Sequence, residues 1–198
     1  RVEVHLLRDQ SVLRRIAANL LRLENLMKNL VIGQSGGPTA VINASLYGAV
    51  KAFKESGTDG HVLGMINGIE GFLADHVMDL STDLSDEELE LLKLTPAAYL
   101  GSCRYKLPAD LESEVYPAIF DNFREMNIGY FLYVGGNDSM DTVDKLSRYA
   151  EKIGSDVKFI GIPKTIDNDL FATDHTPGFG SAAKYVASTV LEIAHDAY

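Results

Sequence analysis

The chain has 198 residues, 46% hydrophobic and 23% charged, enough for a domain with a buried core. Its net charge of -10 argues against a nucleic-acid backbone or an anionic membrane as partner, so a phosphate ligand has to be held by a few local cations and backbone N–H groups. The single cysteine, Cys103, excludes an internal disulfide framework and points to a reducing, cytoplasmic setting, and no apolar run approaches the ~20 residues of a membrane span.

Residues 1–26 differ from the rest: Arg1, Arg8, Arg14, Arg15 and Arg22 stand against Glu3, Asp9 and Glu24, a net +2. Leu13, Ile16, Leu20, Leu23 and Met27 recur at helical spacing. We expect an appended helix over 1–26, foreign to the domain that follows, with a short coiled-coil or docking helix as the alternative. Residues 27–198 form the domain that carries the chemistry.

A strand over Leu30–Gly33 runs into Gln34-Ser35-Gly36-Gly37-Pro38, and a helix through Val41, Leu46, Val50 and Phe53 stops near Gly57. Strand, glycine turn and helix N-terminus together present N–H groups to an anion, although Gly-Gly-Pro also makes an ordinary turn. His61–Ile66 reads as a second strand, and Gly71–Leu80 fits neither period. Ser85 and Glu88 form a capping box for a helix to Lys93, with Leu84 stapling to Leu89.

Gly101-Ser102-Cys103-Arg104-Tyr105-Lys106 reads either as a phosphate grip or as a plain surface loop. Cys103 reads as a packed small residue. The histidines show no metal-ligand spacing. A helix over Asp110–Met126 closes at Asn127 and Gly129, and the apolar run Tyr130–Val134 is a central strand. Gly135-Gly136-Asn137-Asp138-Ser139 is a second glycine turn, before a helix from Met140 to Ile153. Val157, Phe159, Ile160 and Ile162 read as a buried strand that breaks at Pro163. Lys164, Thr165, Asp167, Asn168 and Asp169 crowd behind it, and a last helix covers Ser181–Ala197. The alternation predicts an α/β fold, a doubly wound and mostly parallel sheet, with Gly36-Gly37, Gly135-Gly136 and Lys164 along one carboxyl edge.

Ser35-Gly36-Gly37, Gly135-Gly136-Asn137-Asp138-Ser139 and Pro163-Lys164-Thr165-Ile166-Asp167-Asn168-Asp169, in that order within a βα chain, resemble the phosphofructokinase family. The resemblance runs from Met27 to Tyr198. It implies phosphoryl transfer to the 1-hydroxyl of fructose 6-phosphate, with Asp167 as general base. Lys164 and Asp138 join it in the catalytic set. Gly36, Gly37, Arg104, Gly136 and Ser139 hold the donor, and Thr165, Asp167 and Asp169 face the sugar phosphate. A magnesium ion is implied, with Asn137 as a ligand; the family commonly has aspartate there.

ATP-dependent members carry glycine where Asp138 and Lys164 stand, and the diphosphate-dependent members resemble this chain. A carboxylate at Asp138 repels an α-phosphate, while Lys164 places charge beside a small, highly charged donor. The expected donor is therefore diphosphate. Family subunits are roughly twice as long, so we expect the donor-binding half of a homo-oligomeric enzyme, nearly inactive alone. The alternatives are an ATP-dependent 6-phosphofructokinase, an NAD or lipid kinase of similar architecture, and a non-catalytic assembly partner that docks through residues 1–26.

Overall fold

The computed structural model describes residues 28–37, 39–40, 42–176 and 178–198. The expected helix over residues 1–26 lies outside the described residues. The sheet has five strands: β1 (Asn29–Gln34), β2 (Val62–Met65), β3 (Val77–Asp79), β4 (Ile128–Gly135) and β5 (Lys158–Pro163). Their spatial order is β3-β2-β1-β4-β5. Neighbours are parallel except β3, which runs antiparallel to β2. The helices are α1 (Ile42–Glu55), α2 (Gly68–Leu73), α3 (Asp86–Leu91), α4 (Val115–Glu125), α5 (Asn137–Ile153) and α6 (Phe179–Asp196).

Side chains of successive strand residues point to opposite faces, and the two central strands show the consequence. Val31 of β1 joins Phe131 and Tyr133 of β4 in one core with Ile69, Phe72, Tyr116, Phe120, Phe123, Leu146 and Tyr149 from α2, α4 and α5. Leu30, Ile32, Leu132 and Val134 face the other way, against Ile42, Leu46, Val50 and Phe53 of α1 and Leu89 of α3. An apolar run without polar interruption is the sequence record of a strand covered on both faces. The doubly wound α/β prediction holds for these strands.

Several boundaries differ from the sequence reading. The ambiguous stretch 71–80 contains the end of α2 and the antiparallel strand β3. The helix predicted over Asp110–Met126 begins only at Val115, and Gly129 already lies in β4. Asn127, at φ 50°, makes the turn between them. Strand β5 is not buried: it is the sheet edge, and Ile160 stays 52% exposed. Helix α5 covers one face, with Met140 packed over Gly161, while α6 has no buried residue.

Helix α5 begins at Asn137, three residues before the predicted start at Met140. Gly136 caps it in an extended conformation (φ -84°, ψ -158°). A Cβ at Gly135 would collide with the Ser139 side chain, so only glycine lets the strand end meet the first helical turn this closely. Asn137, Asp138 and Ser139 thus occupy the positive end of a helix rather than a free turn. Among the described residues no helix is long and apolar enough to cross a membrane.

Candidate active site

Strand β1 connects to β2 on one side, while β4 and β5 lie on its other side, so the order reverses between β1 and β4. Open α/β sheets bind ligands at the carboxyl ends of strands beside such a switch point. A cleft of about 460 Å³ opens there, lined by Ser35, Gly36 and Gly37 after β1, Gly136–Ser139 after β4, and Lys164–Asp167 after β5. Every residue predicted for the site borders this cleft: Gly36, Gly37, Arg104, Gly136, Asn137, Asp138, Ser139, Lys164, Thr165, Asp167 and Asp169.

Residues 100–107 reach the cleft because β1 holds them. The side chain of Gln34, fully buried, donates to Asn43 Oδ1 (2.9 Å) and accepts from the backbone N–H of Leu100 (2.9 Å). Asn43 in turn donates to the carbonyl of Thr95 and accepts from the N–H of Tyr99, both at 2.9 Å. Further on, Cys103 forms a parallel bridge with Ser35, and Gly36 N–H donates to the Cys103 carbonyl (3.1 Å). Gly36 allows this approach, because a Cβ there would come within 3.2 Å of Arg104 Cγ. Cys103 is buried, with its Sγ 3.8 Å from the Tyr133 hydroxyl, as expected of a packed residue. Burial holds that hydroxyl's pKa well above the ordinary tyrosine value.

Lys164 is the cation at the floor of the cleft. Its backbone N–H donates to the Gly135 carbonyl (2.8 Å), and its side chain crosses to β1. There Nζ donates to the carbonyls of Gly36 (3.1 Å) and Gly37. Only 7% of Lys164 is exposed. Burial lowers its pKa from the ordinary lysine value; Asp167 nearby opposes the shift and the Arg104 guanidinium adds to it. The ammonium is thus aimed by two glycine carbonyls and has little water of its own.

The loop after β5 is held locally. Asp167 N–H donates to Thr165 Oγ1 (3.0 Å), and Asn168, at φ 55°, accepts through Oδ1 from Thr176 N–H (3.0 Å). Asn137 Nδ2 donates to Asp169 Oδ2 (2.8 Å), tying the loop to the start of α5. Across the cleft mouth, Lys106 Nζ lies 3.2 Å from Asp138 Oδ1.

The phosphofructokinase family model matches residues 29–198. The chain belongs to the phosphofructokinase family. It is 46% identical over 171 residues to the pyrophosphate–fructose 6-phosphate 1-phosphotransferase of Halomonas elongata, covering 85% of this chain and 40% of that protein. It is 40% identical over 160 residues to the sulfofructose kinase of Alkalicoccus urumqiensis, again with 81% of this chain but 40% of the relative. The crystal structure of the pyrophosphate-dependent phosphofructokinase from Nitrosospira multiformis superposes with a TM-score of 0.78 at 43% identity, over 85% of this chain and 42% of that one. The chain therefore spans about two fifths of the length of the relatives it matches.

Within this phosphofructokinase cleft, no three His, Cys, Asp or Glu side chains converge as a metal cage among the described residues. Asp138, Asp167, Asp169 and the amide of Asn137 offer separate oxygens instead. Such a sparse, hard set fits magnesium, which keeps several waters and takes ligands from a bound phosphate. The cleft also contains residues outside the predicted set: Ser35, Thr39, Tyr105, Lys106 and Ile166. Thr39 Oγ1 is buried without a hydrogen-bond partner. Lys106 had a signal, being the second cation after the Gly-Ser turn, whereas Thr39 and Tyr105 had none beyond nearness to a motif.

Proposed function

We propose that this chain carries the phosphoryl-donor half of a diphosphate-dependent phosphotransferase acting on fructose 6-phosphate. The reaction moves one phosphoryl group from diphosphate to the sugar 1-hydroxyl, giving fructose 1,6-bisphosphate and phosphate. The observation that carries this reading is the buried Lys164 ammonium, aimed into the cleft by the Gly36 and Gly37 carbonyls, with the Asp138 carboxylate at the facing helix end.

The roles follow from position. Lys164 and Arg104 offset charge on the transferring phosphoryl group, which moves through a transition state needing positioning and electrostatic stabilisation more than covalent help. The backbone N–H groups of Gly37 and Gly136 receive donor oxygens, with Gly36 keeping the turn open and the Ser139 hydroxyl beside them at the start of α5. Asp138 faces the place where a nucleotide's α-phosphate continues, and its carboxylate leaves room for the shorter donor. Asp167 takes the proton of the acceptor hydroxyl, while Thr165 and Asp169 hold the sugar phosphate and the loop. Asn137 would hold a magnesium ion, which would supply charge neutralisation to the donor.

The same reading takes the active protein to be a cytoplasmic homo-oligomer working in glycolysis, with no nucleic-acid or membrane partner. The direct test is a calorimetric titration of the chain with diphosphate in magnesium buffer. One saturable site, abolished in Lys164→Met, is the expected result; heat indistinguishable from dilution overturns the reading.

A further inference from the structure

Lys106 stands outside the roles assigned above, in a segment held on both sides. On one side Cys103 is bridged to Ser35. On the other, Leu107 is buried and its carbonyl accepts from Lys145 Nζ (3.1 Å). The segment is therefore pinned at both ends, and the Lys106 side chain extends from it to the cleft mouth. It meets Asp138 Oδ1 at 3.2 Å, with both side chains about three-quarters exposed (73% and 74%). Among the described residues, this is the ion pair that Asp138 makes.

Asp138 is an unfavourable residue for an anion site. It lies in the first turn of α5, where helix N–H groups otherwise attract phosphate, and it adds a negative charge there. The carboxylate that excludes a longer donor also repels the shorter one. A cation bound to the carboxylate at the cleft mouth resolves this, because the pair is neutral at a distance while the carboxylate keeps its bulk. The other two cations that line the cleft, Arg104 and the buried Lys164, are then left to the donor.

We propose that Lys106 is a specificity-positioning residue that acts through Asp138: it neutralises and orients that carboxylate, so that a cleft guarded by a negative group still accepts diphosphate. The assignment rests on the reading of the cleft as a diphosphate site. It separates Lys106 from Arg104, which packs against Gly36 inside the cleft.

The test is a double-substitution cycle read by calorimetric diphosphate binding in magnesium buffer. The proteins are the unsubstituted chain, Lys106→Met, Asp138→Gly and the double variant. Lys106→Met is expected to weaken binding about 5- to 10-fold at low salt, less as salt screens the exposed charges. In the Asp138→Gly background the same change is expected to cost under about 2-fold, because the charge it compensates is gone. Lys106→Arg should restore binding, which separates charge from local folding. An equal loss in both backgrounds means that Lys106 contacts the donor directly or only supports the loop, and overturns the proposal. No loss in the unsubstituted background overturns it as well. If the unsubstituted chain does not bind diphosphate, the proposed function itself fails and this assignment falls with it.

Discussion

The ammonium of Lys164 donates to the carbonyl oxygen of Gly36 at 3.1 Å, joining residues 128 positions apart. This contact closes the cleft floor between β1 and β5, strands that flank β4 without touching each other. A buried cation held by carbonyls and facing an open cleft is arranged for an anion, and it costs stability until the anion arrives.

That cost has a pH signature. The folded pKa of Lys164 is below the 10.5 of a free lysine. Below the folded value both states hold the proton, and the buried charge opposes folding in full. Between the folded value and 10.5 the folded state releases its proton first, so the contribution of Lys164 to stability rises with pH. The stability of Lys164→Met relative to the unsubstituted chain is therefore greatest below that window and declines as pH climbs through it. Urea unfolding of both proteins from pH 7.5 upward measures the difference, and a difference independent of pH contradicts the argument.

Gln34 is the second dependency, because its fully buried amide links β1 to residues 99–100 through Asn43 and Leu100. Gln34→Ala strands the Leu100 N–H and loosens the segment that carries Arg104. We expect a loss of about 2–3 kcal/mol in urea unfolding, from the buried Leu100 N–H left unpaired and the lost bond to Asn43. Diphosphate binding should weaken in the same variant, although Gln34 does not line the cleft. Unchanged stability would show that residues 99–100 are held by something else.

How far this was legible in the sequence depended on the residue. The alternation within β1 and β4 was readable because both faces are covered, and apolar strands with glycine ends state that plainly. Strand β3 was not, since Val77–Asp79 is too short for a period and its antiparallel pairing comes from β2. The apolar run in β5 reads the same at an edge as in a core, which is why Ile160 was expected to be buried. Asn-Asp-Ser after two glycines reads as a turn, but those side chains suit a helix start equally well, and α5 begins there. The motif residues converged as expected. Lys106–Asp138 and the orphan Thr39 hydroxyl needed three dimensions.

Asn137 offers a third test. Its amide donates to Asp169 Oδ2 at 2.8 Å, so Asn137→Asp sets two carboxylates face to face. Without divalent cations the variant should melt roughly 2–4 °C lower, the shift of about 1 kcal/mol in a domain of this size. Millimolar magnesium should recover the loss by bridging the pair. A melting temperature that drops and ignores magnesium would argue against a metal at this position.

Donor choice is the central claim, and the most direct measurement is thermal stability of the chain with magnesium plus diphosphate against magnesium plus ATP. A ligand that binds only the folded state stabilises it by an amount set by its concentration over its dissociation constant, about 2.7 kcal/mol at a hundredfold excess. The account predicts a clear upward shift with diphosphate and none with ATP at equal concentration, the space filled by the Asp138 carboxylate being the reason. A shift with ATP equal to or larger than that with diphosphate would contradict it.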